Sequence, residues 1–222
     1  MTWSGSKIYW RSQVWTGKFT STGGSGAQGP NSLRAVYLTS LYNEEGLYMT
    51  LTLSDPSWYF RCTLNHSGEF QVWIWKYNWE SYSSRPNVSS CNRYGWCGKN
   101  AFCDGTISVP GCKCLEGFEP KAENEWNTGN CTAGCTRKKA LQCSDGDNFL
   151  RVESMKLPDR FVLLRNTNVG DCSSKCMANC SCVAYAYVEL IIANSTTPLC
   201  SVWMGDLIDT EKLRRRGPLF AT

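Results

Sequence analysis

The chain has one histidine in 222 residues, His66. A hydrolase that pairs a nucleophile with an imidazole base has no other residue to use. His66 lies in "LNHSG", which reads as a solvated hairpin turn. Among the 19 carboxylates no pair stands out, so no enzyme activity and no cofactor are expected. Long apolar runs are also missing: there is no stretch of 18 apolar residues, and so no membrane span is expected in this chain. The N-terminal "MTWSGSKIYW" lacks the continuous apolar core of a leader peptide. The isolated C-x-x-C of a thioredoxin-type site is absent as well. The formal charge of +4 comes from Lys212, Arg214, Arg215 and Arg216, without which 19 basic residues balance 19 acidic ones. That run reads as a solvated terminal segment, and nucleic acid is not an expected partner.

What the chain does have is 14 cysteines. Reducing compartments keep thiols free, so this density points to zinc modules or to disulfides formed in an oxidising compartment. Five N-x-S/T sequons, at Asn65, Asn87, Asn130, Asn179 and Asn194, fit the second choice and suggest a secreted or cell-surface glycoprotein. Asn179 sits among cysteines, where enclosure is expected. Secreted chemistry without a leader suggests a piece of a longer protein.

Three textures follow one another. Residues 1–80 hold one cysteine, Cys62, and many aromatics. "SLRAVYLTSLYNEEGLYMTLTLSD" alternates around a turn-like "NEEG" and predicts a hairpin. "EFQVWIWKYNWE" predicts a strand with Phe70, Val72 and Ile74 on one face and Trp73, Trp75, Tyr77 and Trp79 on the other. These aromatics are expected in the core, where large rings dominate burial energy; a platform for sugar rings is the alternative. "STGGSGAQGPN" (21–31) is a loop in which seven of eleven residues are glycine, serine or threonine; it is the candidate ligand contact of this part, with a merely flexible loop, which such composition signals by itself, as the alternative.

The polar "YSSRPNVSS" (82–90) marks a boundary. Beyond it, "CNRYGWCGKNAFCDGTISVPGCKCLEGFEP" packs five cysteines among glycines, too short a segment to hold together on apolar burial alone. In the third texture "NFLRVESMKLP" reads as a strand and "VGDCSSKCMANC" as a short helix capped by Asp171. "CSCVAYAYVELII" and "LCSVWMGDLID" read as the closing strands. On the helix, Cys172, Cys176 and Cys180 recur every four residues and drift only about 40° per step, so they share one stripe. Cys182 lies just beyond, able to fold back. Such a stripe suits crosslinks to a neighbouring sheet. Structural zinc would ask for paired knuckles or a Cys/His mixture.

The same stretches carry a resemblance. "MKLPD", "GDCSSKCMANCSCVAYAY" and the "C-x-W-x-G-D-L-I-D" ending resemble the PAN/apple domain of plant S-locus receptor kinases and G-type lectin receptor-like kinases. "CNRYGWCGKNAFCD", "PGCKCLEGFEPK" and the closing "GC-x-R" resemble the EGF-like module of that family. "YWRSQVWTGKFTS" is similar to the stretch opening the later part of its S-locus glycoprotein domain, with Gln13 and Thr16 departing from the pattern. The charged ending "EKLRRRGPLFAT" departs from it too.

The resemblance implies a mainly β, disulfide-rich, multi-module chain. Residues 1–85 would be the C-terminal part of the S-locus glycoprotein domain, 87–136 an EGF-like module, and 143–222 a PAN/apple domain with an antiparallel sheet and one short helix. It implies the pairs Cys91–Cys103, Cys97–Cys112 and Cys114–Cys135, then Cys172–Cys200 and Cys176–Cys182, leaving Cys143 with Cys180. Before Cys91, "NVSSC" offers only Asn87 as a ligand, so no calcium and no other metal are expected. Cys62 and Cys131 fall outside both sets; the even total suggests a Cys62–Cys131 bridge, with a buried free thiol or an intermolecular bond as alternatives.

By function, the resemblance implies the extracellular ligand-recognition and dimerisation portion of a single-pass plasma-membrane receptor. Its ligand would be a small cysteine-rich peptide, as in recognition of pollen, or a glycan, and its partner a second receptor in a homodimer or hetero-oligomer. The kinase of such receptors is not in this sequence. A secreted, truncated decoy or scaffold is the alternative.

Overall fold

The computed structural model describes residues 2–4, 6–11, 36–43, 46–53, 55–85, 90–140, 148–165, 167–192, 195–213 and 220–221. The chain is mainly β, and its described residues fall into two compact units, one running to Asn92 and one from Arg93. Among the described residues no helix is long and apolar enough to cross a membrane.

In the first unit β1 (Thr2–Ser4) pairs with β2 (Lys7–Trp10), and β3 (Val36–Asn43) with β4 (Gly46–Leu53). The second pair is the hairpin expected from "NEEG", in register from Val36 opposite Leu53 to Asn43 opposite Gly46. A three-stranded antiparallel sheet follows, with β6 (Phe70–Trp75) between β5 (Tyr59–Leu64) and β7 (Trp79–Arg85). The turn between β5 and β6 is closed by Asn65, whose Oδ1 accepts from the backbone N–H of Ser67 at 3.1 Å and of Glu69 at 2.9 Å. His66 sits exposed in that turn, as its sequence context suggested.

In the second unit the cysteine-rich segment contributes β8 (Ala101–Asp104), β9 (Gly111–Cys114), β10 (Phe118–Pro120), the short helix α1 (Glu123–Asn127) and β11 (Cys135–Arg137). The remainder supplies β12 (Arg151–Val152), β13 (Met155–Lys156), β14 (Val162–Arg165), α2 (Val169–Met177), β15 (Ala184–Ile192), β16 (Ser195–Trp203), β17 (Thr210–Lys212) and β18 (Phe220–Ala221). A five-stranded sheet runs β12-β18-β15-β16-β14. "NFLRVESMKLP" is not one strand: Ser154 turns into the left-handed region (φ 60°), sending β12 and β13 to different sheets.

The β15–β16 register explains the Ala-Tyr-Ala-Tyr alternation. Ala184 lies opposite Trp203 and Ala186 opposite Ser201, so small side chains leave room for the indole of Trp203 on one face. That face packs with Met155, Leu157 and Leu207. The other face carries Tyr185, Val202 and Cys200, and α2 covers it with Cys172 and Cys176. The cap of α2 is Asn168, one turn earlier than the sequence suggested: its Oδ1 accepts from Asp171 N at 2.8 Å while its Nδ2 donates to the Asp171 carboxylate at 2.7 Å. This reciprocal pair satisfies an otherwise orphaned N–H of the first turn.

The second sheet runs β13-β17-β8-β9 and joins the two cysteine-bearing textures, with β17 parallel to β8. Leu115 is buried in the same cluster as Trp203, and Phe102 and Phe118 pack against it. The cysteine-rich segment therefore borrows a core as well as being stapled, and with the following segment it forms one compact unit. Asn100 fixes the join: it is left-handed (φ 56°), its N–H donates to Leu207 O at 2.7 Å, and its Oδ1 accepts from Leu207 N at 2.9 Å. Gly98 and Gly134 also meet tightly; both have φ of +72°, and a Cβ on Gly98 would stand 2.6 Å from the backbone of Gly134. Only glycine fits there.

Candidate recognition surface

Strand alternation and register place Tyr59, Arg61 and Thr63 of β5 on the same face as Trp73 and Trp75 of β6 and Trp79 of β7. Tyr59 faces Trp75, Arg61 faces Trp73, and Trp75 faces Trp79. The opposite face holds Ile74, which is 1% exposed. The expectation that the aromatic face is core is corrected here: Tyr59 is 66%, Trp75 36% and Trp79 37% exposed, and Tyr77 in the following turn is exposed almost fully. Both faces of β6 are apolar in sequence; burial is concentrated at Ile74, while Phe60 and Leu64 on the same side of the neighbouring β5 stay 38% and 59% exposed.

The open face is ordered by its own contacts. The Arg61 guanidinium lies 4.3 Å from the Trp79 ring centroid and 5.6 Å from that of Trp73. Trp75 and Trp79 meet edge to face at 5.6 Å, and Trp73 Nε1 donates to Thr63 Oγ1 at 3.3 Å. Such contacts hold flat rings in fixed orientations while leaving them accessible. The loop 21–31, expected to touch ligand, lies outside the described residues, as does the basic run Arg214–Arg216.

The cystines frame the second unit. Cys97–Cys112, Cys114–Cys135, Cys172–Cys200 and Cys176–Cys182 are bonded as the resemblance implied, and Cys91 and Cys103 each lie in a disulfide. The Cys62–Cys131 pairing is corrected. Cys62 is a free thiol exposed on β5, and Cys131 is a free thiol buried in the second unit, where burial pushes its pKa up. The Cys62–Cys131 bridge is thus not formed. Cys180 is a free, exposed thiol, and its expected partner Cys143 lies outside the described residues. Helix α2 stops at Met177, and Ser181 N donates to Asn179 Oδ1 at 3.0 Å in a tight turn. That turn points Cys180 outward and returns Cys182 to Cys176.

Of the sequons, Asn130 and Asn179 are exposed and Asn65 is half-buried; Asn87 and Asn194 lie outside the described residues. Asn179 is therefore not enclosed by its cysteines. Asn65 is the most engaged of the three, with Nδ2 donating to Glu69 Oε2 at 3.0 Å in addition to its turn bonds.

Charge is concentrated at the join of the second unit. Lys156 and Asp209 form a buried ion pair at 2.8 Å, and Asp209 also accepts from Gly95 N at 3.2 Å. Tyr94 donates to Asp159 at 2.7 Å; burial and that bond push its hydroxyl up to about 12. Glu211 of β17 is pushed up to about 7, chiefly by burial, with Asp209 adding to the shift and Lys156 opposing it. Asp104 is held down at about 2 by hydrogen bonds from Lys113 and Thr106. These groups lock strands to one another. Among the described residues no group of three or more His, Cys, Asp or Glu is placed to hold a metal ion.

Known proteins resemble this chain in sequence. The S-locus glycoprotein domain family model matches residues 10–122, past the polar boundary at 82–90, and the PAN-like domain model matches residues 143–210. The chain is 32% identical over 221 residues to a G-type lectin S-receptor-like serine/threonine-protein kinase of Arabidopsis thaliana, covering 95% of this chain and 25% of that protein. It is 32% identical over 221 residues to S-locus-specific glycoprotein S6 of Brassica oleracea, covering 97% of this chain and 48% of that protein. A third relative, the G-type lectin S-receptor-like serine/threonine-protein kinase SRK of Arabidopsis thaliana, is 32% identical over 180 residues, 79% of this chain and 20% of its own length. The chain thus spans between a fifth and a half of these relatives.

Proposed function

The chain belongs to the S-locus glycoprotein domain family, and from that premise we propose that it is the extracellular ligand-recognition and pairing portion of a G-type lectin S-receptor-like kinase. The observation that carries this reading is the contrast between an ordered but uncovered aromatic face on β5–β6–β7 and a cystine-framed unit beside it in sequence. Large aromatics held in place and left wet are the residue types that dominate binding hot spots. The first unit receives the ligand, a small cysteine-rich peptide such as a pollen or other self/non-self signal, or a glycan. Residues 87–136 act as an EGF-like spacer, and residues 143–222 as a PAN/apple module that sets receptor geometry and pairs two receptors in a homodimer or hetero-oligomer. Glycans on Asn65, Asn87, Asn130, Asn179 and Asn194 would face the extracellular medium. Phosphoryl transfer in such a receptor belongs to a kinase domain outside this sequence.

The test is to produce the chain in a secretory host and screen it against immobilised cysteine-rich peptides and glycans. The hits are then re-measured with Tyr59→Ala and with Val162→Asp on β14 of the second unit. Loss of binding with Tyr59→Ala alone supports the reading; loss with Val162→Asp alone overturns it.

A further inference from the structure

The open face of β5–β6–β7 carries six side chains that the pairing register brings together: Tyr59, Arg61, Thr63, Trp73, Trp75 and Trp79. Its charge is of one sign. Arg61 is exposed, and its contacts are the rings of Trp73 and Trp79. The carboxylates of this sheet are engaged elsewhere: Glu69 accepts from Asn65 in the turn, and Glu80 lies opposite Ile74 on the other face, 3.7 Å from Lys76 Nζ. A guanidinium held against an indole keeps its N–H edge free and pre-oriented, which is the geometry that forks a carboxylate. Beside it, Tyr59 and Trp75 form an exposed cross-strand aromatic pair. Tyr59 and Arg61 are two residues apart on one strand, so their side chains stand about 7 Å apart. That separation suits a six-membered sugar ring lying on the aromatic pair with its exocyclic acid group at Arg61. Pyranose rings present polarised C–H bonds that stack on the negative face of an aromatic ring.

We propose that this face binds an acidic oligosaccharide, with a uronic-acid ring stacked on Tyr59 and Trp75 and its carboxylate held by Arg61. The inference rests on the recognition role proposed above and names the ligand class of that same face. Charge complementarity selects the acid, and the exposed ring pair selects the sugar. Arg61 reads the charge while the rings read the shape.

The experiment titrates the whole chain, followed by tryptophan emission and by calorimetry. The probes are a short oligogalacturonide, its fully methyl-esterified form and a poly-glutamate peptide. The free acid should bind saturably and weaken with added salt, and the ester should bind about tenfold or more weaker, since it keeps the rings and loses the charge. Arg61→Gln should lose the same factor for the acid and little for the ester. Arg61→Lys should restore only part, because an ammonium neither forks nor stacks as a guanidinium does. Acid and ester binding equally, poly-glutamate binding as tightly as the oligosaccharide, Arg61→Gln binding like the parent, or no saturable binding of the acid would each overturn the inference. The acid–ester comparison uses the unaltered protein, so a poorly folding variant leaves the test intact. If the screen above finds a different ligand whose binding still maps to Tyr59, the recognition role stands while the acidic-sugar assignment falls.

Discussion

The second unit closes its sheets with buried cystines: Cys172 and Cys200 are fully buried, as is Cys176, and a shared sheet and a buried ion pair add to them. The first unit has an exposed free thiol at Cys62 and leaves Tyr59, Trp75 and Trp79 in water. Two small β architectures in one chain therefore use their large side chains differently. Where Trp203 is 1% exposed, an indole fills the gap left by Ala184 and Ala186. Where Trp75 is 36% exposed, an indole packs edge to face on Trp79 and keeps part of its ring in water. Ring content alone does not distinguish core from contact surface; coverage does.

Replacing one tryptophan in each unit should break the symmetry most visibly. Trp203→Ala should cost about 3–5 kcal/mol, the range for emptying a packed core site, whereas Trp75→Ala should cost less than about 1 kcal/mol. Urea unfolding of each variant measures both. Equal losses would place the two indoles in equivalent surroundings.

Removing crosslinks grades the second unit. The Cys172–Cys200 bond spans 28 residues and Cys176–Cys182 spans 6. Chain entropy gives about 3.5 kcal/mol for a loop of the first size and about 2 kcal/mol for the second. Paired Cys→Ala variants should follow that order in melting temperature.

The pH dependence of the second unit gives a third contrast. Glu211 holds its proton more tightly folded than unfolded, so its contribution is favourable at low pH and is lost as pH rises from about 4.5 to about 7. The loss is at most about 3 kcal/mol. Asp104 has the opposite sign: its folded value of about 2 means its contribution is present at neutral pH and is lost as pH falls below about 4. Glu211→Gln should flatten the stability profile between pH 5 and 7 and leave the acid limb unchanged, as read by thermal denaturation across pH.

The hairpins were legible in the sequence because β alternation and turn residues are local signals, as in "NEEG" and "LNHSG". Four cystines were legible through the resemblance. The join was not: β17 and β8 meet over three residue pairs more than a hundred positions apart, and nothing local announces a parallel pairing so short. The break at Ser154 and the cap at Asn168 depend on single backbone and side-chain conformations rather than on periodicity. Counting cysteines to an even number fails for Cys62 and Cys131, since parity carries no information on distance or burial. The exposure of the aromatic face is hidden from sequence for a related reason: a strand apolar on both sides does not say how much of either side is covered.

The smallest effect is chemical rather than energetic. Among the described cysteines, Cys62 and Cys180 should be alkylated in the native protein, and Cys131 only after unfolding, as read by peptide mass spectrometry. Labelling of Cys131 at the native rate would contradict its burial.

Oxidative footprinting of the native chain, read residue by residue by mass spectrometry, tests the contrast between the units most directly. Tyr59, Trp75 and Trp79 should be modified rapidly while Trp203 stays intact until the protein unfolds. Protection of Trp75 and Trp79 equal to that of Trp203 would make the aromatic face a buried one and remove the recognition surface.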